Sequence, residues 1–135
     1  MEIQRKIIVY LDFDGCVVQH RFPAIGEYNH GCQEVLYKLQ EAGHQIILNS
    51  VRCDLMDDTL RDAIEFMTTL QTKEPIINHT QEKIEPDHWN LDEPTCLFID
   101  DIAIGIPTKI AAGRLYVDWF SVDKQLEKNG FYKKL

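Results

Sequence analysis

The sequence predicts an α/β fold, a doubly wound, Rossmann-like parallel sheet of about five strands in three α/β/α layers. Three observations favour it. Short apolar runs alternate with segments of helical period along all 135 residues, a length suited to one domain spanning residues 1–135. The run at 7–11 is rich in β-branched residues, as in strands buried on both faces. Polar residues follow several runs directly, as at the ligand-binding edge of such sheets.

The first half of the chain contains two predicted strand–helix units. A strand at 6–12 leads into a loop over 13–28, after which Asn29 is predicted to cap a helix that ends at Gly43. A second strand covers 45–50, and Asp54 is predicted to cap the next helix. The expected buried face of that helix consists of Met56, Leu60, Ala63, Ile64, Met67 and Leu70.

The second half is less regular. The predicted elements are a short third strand at 75–78, an irregular connection over 79–94, a fourth strand at 96–99, a short helix near 107–112, a fifth strand at 114–117 and a closing helix at 121–129.

Composition excludes several classes of protein. The net charge of −8 disfavours nucleic acid and anionic membranes as partners, although a bound cation could still admit a nucleotide. No apolar stretch approaches the roughly 20 residues that span a bilayer, and the first apolar run lacks the features of a secretion signal. The four cysteines form no Cys-x-x-Cys pair and are expected to be reduced thiols. A cytoplasmic location is therefore predicted.

Acidic and hydroxyl side chains follow three of the predicted strands. Asp12 and Asp14 end the first strand, Ser50 ends the second, and Asp100 and Asp101 end the fourth. Because parallel strands have their carboxyl ends at one edge, these groups are expected to converge. Carboxylates brought together repel one another unless a cation compensates, and hard oxygen ligands with open positions suit Mg²⁺. The pattern favours phosphoryl transfer.

Simpler interpretations compete with this one. Asp-Gly is an ordinary turn signal, and Asp100-Asp101 could cap the following helix. A calcium-binding EF-hand is rejected, because its sixth and twelfth positions would hold Val17 and Pro23 rather than Gly and Glu. A phosphorelay receiver domain is disfavoured, because its phosphorylated Asp ends a middle strand, where this chain has Ser50.

The order and strand context of these residues match a family. The chain resembles the phosphatase branch of the haloacid dehalogenase (HAD) superfamily in three segments, VYLDFDG, IILNS and LFIDD. More narrowly, it is similar to very small HAD-like hydrolases without a cap domain. Neither the gap at 15–28 nor that at 79–94 is long enough for a separate cap domain. The site is therefore expected to be open.

The resemblance implies a role for each acid. Asp12 would be the nucleophile that forms an aspartyl-phosphate, and Asp14 would be the general acid and base. Mg²⁺ would be held by Asp12, the backbone carbonyl of Asp14, Asp100 and Asp101, the last directly or through water. Ser50 would donate a hydrogen bond to the transferring phosphoryl group.

The basic residue of the family's third motif is less clearly marked. Lys83 is favoured because it follows the predicted third strand, with His79 and Arg52 as substitutes. Lys73 is instead expected to end the second helix, where a cation suits the dipole. Gly15, Arg21 and Arg52 are candidate substrate-binding residues.

These features predict a Mg²⁺-dependent phosphomonoester hydrolase. Its substrate would be a phosphorylated small molecule or an exposed phosphate on a macromolecule. The alternative is a phosphate- or nucleotide-binding module that retains the metal site with little or no turnover. The sequence leaves the substrate's identity and the oligomeric state open.

Overall fold

A computed structural model describes residues 5–70, 72–76 and 82–133 of the chain. Its elements confirm the α/β class. None of its helices is long and apolar enough to cross a membrane, within the described ranges. In chain order the elements are β1 (Ile8–Leu11), α1 (Cys32–Glu41), β2 (Gln45–Leu48), α2 (Val51–Leu55), α3 (Asp58–Thr68), β3 (Cys96–Ile99), β4 (Thr108–Ala111), β5 (Arg114–Val117) and α4 (Trp119–Lys128).

Strands β1, β2 and β3 form a parallel sheet with β1 in the centre. Leu11 of β1 pairs with Leu48 of β2 on one side and with Ile99 of β3 on the other. The residues that follow these three, Asp12, Asn49 and Asp100, therefore leave the sheet at the same level. All three strands correspond to predicted ones, each found within the predicted bounds.

Strands β4 and β5 form a separate antiparallel pair rather than further strands of the parallel sheet. The helix predicted near 107–112 is wrong, and β5 occurs where predicted but in a hairpin. Ala112 and Gly113 connect the two strands and both have positive φ, 50° and 76°, as the two central residues of a type I′ turn do. A two-residue turn can join only antiparallel strands, since a parallel pair needs a crossover of a dozen or more residues. The described residues thus contain a three-stranded parallel sheet, not the predicted five.

Other predictions about elements need correction. Pro75 and Ile76 lie in no strand, and the rest of the predicted third strand, at 77–78, lies outside the described residues. Helix α1 starts after Gly31, because the side chain of Asn29 is used elsewhere and donates to the Cys16 carbonyl at 2.6 Å. Lys73 lies beyond the end of α3 and pairs with Glu41 on α1 at 3.3 Å.

The predicted second helix is broken into α2 and α3. The break falls at Met56, whose φ of 50° is left-handed, and Asp57 then restarts the helix by accepting a hydrogen bond from the backbone N–H of Thr59. This break exposes Met56, and Ile64 is exposed as well, whereas both were predicted to be buried. The remaining members of the predicted face, Leu60, Ala63, Met67 and Leu70, are buried.

A buried histidine joins the start of the sheet to the end of the chain. The Ile7 N–H donates to Nδ1 of His44 at 3.2 Å, and Nε2 of His44 then donates to the Phe131 carbonyl at 2.7 Å. This pattern fixes the neutral tautomer. Burial lowers the pKa of His44 from its ordinary value.

The folded state is therefore expected to lose stability as pH falls through about 6.5, because unfolded His44 takes up a proton there that the folded ring resists. The free energy of unfolding, measured with urea at several pH values, should decline by at most about 1.4 kcal/mol per pH unit from this residue. His44→Gln should flatten the decline. His88→Gln, at an exposed histidine, should keep the wild-type slope. Equal slopes in wild type and His44→Gln would contradict the assignment.

Candidate functional site

Three carboxylates converge at the carboxyl edge of the sheet. Asp12 follows β1, and Asp100 and Asp101 follow β3. One oxygen from each of the three lies within 4.8 Å of the other two. The parallel pairing of β1 with β3 brings them together. The pairing continues one residue past β1, where the Asp12 N–H donates to the Ile99 carbonyl at 3.0 Å.

Burial gives this cluster its electrostatic character. The pKa of Asp12 is raised well above its ordinary value, first by burial and then by the neighbouring carboxylate of Asp100. Burial also raises the pKa of Asp100. The neighbouring carboxylates therefore oppose the ionisation of Asp12 and Asp100, and a cation within the cluster would relieve that opposition.

One oxygen of Asp100 lacks a hydrogen bond. Asp100 is only 1% exposed, and its Oδ2 has no hydrogen-bond partner among the described residues. The other oxygen, Oδ1, accepts from the Ile102 N–H at 3.1 Å. A buried carboxylate oxygen without a donor is costly, so its position in the cluster suits a bound cation. The all-oxygen donor set fits Mg²⁺.

Lys83 contacts this cluster at Asp100. Its Nζ lies 3.5 Å from Oδ2 of Asp100, as a charge contact without hydrogen-bond geometry. Burial lowers the pKa of Lys83, but Asp12 and Asp100 together outweigh this effect and raise it overall. Lys83 is thus held as a cation beside both acids.

Asn49 positions the segment that carries Lys83, a role that the sequence did not suggest. Its amide donates to the Ile84 carbonyl at 2.8 Å and accepts from the Ile84 N–H at 2.8 Å. The backbone N–H of Lys83 also donates to the carboxylate of Asp54. An amide at a strand end, able to pair with both backbone groups of one residue, is the signal that could have indicated this contact.

Ser50 lies fully buried at the start of α2. Its Oγ accepts from the Arg52 N–H at 3.2 Å and so caps the helix. A hydroxyl that accepts can still donate its own proton. The residue therefore combines a structural role with the chemistry needed of a phosphoryl-group donor.

Asp14 differs from the other acids because its carboxylate is paired with Arg52. Nε and Nη2 of Arg52 donate to its two oxygens at 2.9 and 2.8 Å. The remaining N–H groups of Arg52 donate to the carbonyls of Pro23, Ala24 and Thr59, at 3.3, 2.8 and 3.0 Å. All five N–H groups are used, so Arg52 cannot contact a phosphate without giving up a bond. The predictions that Arg52 binds substrate or replaces the third-motif base are not supported.

Gly15, His20 and Arg21 belong to the loop beside the acids. Gly15 has a φ of 77°, and a Cβ there would lie 2.2 Å from Nε2 of His20. That same nitrogen lies 3.2 Å from Oδ2 of Asp101 and 2.8 Å from the Leu115 carbonyl. Gly15 therefore makes room for the His20 ring beside Asp101. Arg21 is exposed.

The basic residues considered from the sequence have different partners in the structure. Lys83 contacts the acid cluster, Arg52 contacts Asp14, and Lys73 contacts Glu41 on another face. His79 lies outside the described residues.

Comparison with known proteins bears on the fold. The sequence matches no family model, and no curated protein gives a significant match. Among solved structures, the chain is similar to a conserved protein coded by a locus from Bacteroides thetaiotaomicron, with 29% identity and a TM-score of 0.64. The similarity covers 92% of each chain. The two proteins therefore share an architecture over most of their length, and the case for chemistry depends on the residues described above.

Proposed function

We propose that this protein is a Mg²⁺-dependent phosphomonoester hydrolase that acts through an aspartyl-phosphate on Asp12. The observation that carries the proposal is the buried, unbonded Oδ2 of Asp100 within a cluster of three carboxylates, with Lys83 beside it. The single charge of Lys83 offsets only part of the charge of three carboxylates, so the cluster is suited to holding a metal cation as well.

The residues available account for the first chemical step. The carboxylate of Asp12 would attack phosphorus, forming an acyl-phosphate bond as the bond to the leaving alcohol oxygen breaks. Lys83 would offset the negative charge that gathers on the phosphoryl oxygens, and Ser50 would donate a hydrogen bond to one of them. Bound Mg²⁺, held by Asp12, Asp100, Asp101 and the Asp14 carbonyl, would supply further charge stabilisation.

Water would then hydrolyse the acyl phosphate and regenerate Asp12. The resemblance to HAD phosphatases gives Asp14 the task of moving protons in both steps. The finer features of that family, a doubly wound Rossmann-like sheet without a cap domain, belong to the same proposal. The central position of β1 between two parallel neighbours supports the doubly wound sheet.

The Asp14–Arg52 pair favours one alternative. The Asp14 carboxylate is held by two guanidinium N–H groups, and this pair has to break before Asp14 can transfer a proton. If the pair holds throughout, the site could bind a phosphate group or nucleotide with little turnover.

Magnesium titration with a generic aryl phosphate separates the two functions. We expect steady-state hydrolysis in Mg²⁺, loss of activity in a chelator, and recovery when Mg²⁺ is restored. Asp100→Asn should weaken the apparent Mg²⁺ affinity by about 10- to 100-fold, because it removes one of three charged ligands. Asp92→Asn, at an exposed acid, should match wild type.

Each outcome has a distinct meaning. Binding of Mg²⁺ and phosphate by calorimetry without turnover would favour the binding module. Turnover that survives chelation, or that Asp100→Asn leaves at wild-type Mg²⁺ dependence, would contradict the proposed metal site.

A further inference from the structure

The guanidinium of Arg52 lies over two phenylalanine rings that differ in exposure. Its central carbon lies 5.0 Å from the ring centroid of Phe13 and 5.1 Å from that of Phe22. Phe13 is fully buried, whereas Phe22 is 46% exposed. A half-exposed aromatic ring is thus fixed against the same group that holds the Asp14 carboxylate.

The backbone next to Phe22 is fixed as well. The carbonyls of Pro23 and Ala24 accept from the two terminal nitrogens of Arg52. The attraction between the guanidinium and the face of the ring also favours this ring position. The Arg52 guanidinium thus contacts the Phe22 ring and the Asp14 carboxylate together. Phe22 is therefore an ordered platform near Asp14 rather than a freely moving surface residue.

Two of the cations near the acids are already paired within the protein. Lys83 already contacts Asp100, and every N–H of Arg52 already has an acceptor. The net charge of −8 would repel additional phosphates. Apolar groups are available instead, because Val51 and Ile102, which directly follow Ser50 and Asp101, are also exposed.

We propose that Phe22 is a specificity-determining residue that stacks on the leaving group, so that the preferred substrates are phosphate monoesters of aromatic or similarly planar apolar alcohols. This inference rests on the proposed hydrolase function. Phe22 would recognise the leaving group, the part of the substrate that the acid cluster does not contact. Sugar phosphates and nucleotides with further phosphates would be poor substrates.

The test compares benzyl phosphate with methyl phosphate, two esters whose leaving alcohols are similar in acidity. The measured quantity is the ratio of their kcat/KM values in Mg²⁺. Because Phe22 packs on Arg52, its substitution could also change the position of Asp14, and the ratio cancels an effect shared by both esters. Wild type is expected to favour benzyl phosphate.

Phe22→Ala is expected to lower the benzyl-to-methyl ratio by about tenfold, and Phe22→Leu, which stays apolar, by about threefold. Phe120→Ala provides the control, since Phe120 is a 63% exposed ring that stacks on Lys109 rather than on Arg52. Its ratio should stay within about twofold of wild type. A ratio that Phe22→Ala leaves unchanged would overturn the role of Phe22, as would a wild type that prefers methyl phosphate.

Failure of the underlying function gives a different result. A wild type that hydrolyses neither ester in Mg²⁺ contradicts the hydrolase itself. The affinities of benzylphosphonate and methylphosphonate, measured by calorimetry, then decide the role of Phe22 without turnover. A preference for benzylphosphonate that Phe22→Ala removes would support the platform, and equal affinities would overturn it.

Discussion

Asp12→Asn is expected to abolish hydrolysis of phosphate esters, lowering kcat by about 10⁴-fold or more. The amide keeps the shape of the side chain but is not a nucleophile toward phosphorus. Asp12 follows the central strand of the sheet, and one of its oxygens lies within 4.8 Å of an oxygen of Asp100 and of Asp101. Steady-state assays on an aryl phosphate at saturating Mg²⁺ measure the effect.

The same substitution is expected to stabilise the metal-free protein. Burial and the Asp100 carboxylate raise the pKa of Asp12 well above its ordinary value, so folded Asp12 binds its proton more tightly than unfolded Asp12. This contribution to stability is present at low pH and is lost as pH rises from about 4 through the folded pKa. Asn carries no such charge. At neutral pH without Mg²⁺, Tm should rise by about 3–5 °C, which corresponds to about 1 kcal/mol.

Magnesium should reverse the order of stability. Wild type has the full set of charged ligands, so added Mg²⁺ should raise its Tm more than that of Asp12→Asn. Asp58→Asn is a matched control, because that carboxylate is 83% exposed on α3, and neither its activity nor its response to Mg²⁺ should change. Turnover retained by Asp12→Asn would show that another group is the nucleophile. A lowered Tm in metal-free Asp12→Asn would show that the acids do not oppose one another.

The three strands that build the site were predictable because each is a buried apolar run with polar residues directly after it. The 6–12, 45–50 and 96–99 runs contain β1, β2 and β3. Once those strands are parallel and neighbouring, Asp12 and Asp100 must emerge at the same level. The acid cluster therefore follows from a local pattern and one rule of topology.

The β4–β5 hairpin could not be predicted in the same way. Its turn contains Ala112 with a φ of 50°, where Asn or Asp would have given the usual signal for a two-residue turn. Its cross-strand pair Ile110–Leu115 is exposed on both strands, so no alternation of buried and exposed residues marks it. Without the usual turn signal or a buried face, the residues of β4 gave no strand pattern to detect, so the strand predicted at 114–117 had no recognisable antiparallel partner.

The roles of Arg52 and Lys83 also depended on tertiary structure. Arg52 follows Ser50 by two residues, whereas Lys83 lies far in sequence from the acids, and the sequence favoured Lys83 only by its position after the predicted third strand. The difference lies in their partners, since Arg52 meets acceptors from three separate segments, whereas Lys83 meets Asp100. Such convergence from distant parts of the chain has no signature in a local window of sequence.

Arg52→Met is expected to destabilise the protein by about 3–5 kcal/mol, one of the largest effects available in this chain. The substitution leaves the Asp14 carboxylate largely buried without its cation, and it removes the donors for three backbone carbonyls. The substitution also removes the positive charge that lies over the rings of Phe13 and Phe22. Urea denaturation at pH 7, followed by circular dichroism, measures the loss in free energy of unfolding.

Two further variants identify the cause of that loss. Arg61→Met, at an arginine that is 61% exposed and pairs with Asp58, should cost about 0.5 kcal/mol or less, as surface ion pairs do. Arg52→Lys restores the charge but not the planar fork, so it should recover only part of the stability, because one ammonium cannot reach both oxygens of Asp14 and all three carbonyls. If Arg52→Lys equals wild type, charge alone matters and the geometry does not. If Arg52→Met costs no more than Arg61→Met, Arg52 does not hold the loop and Asp14 in place, and the ordered platform inferred for Phe22 loses its support.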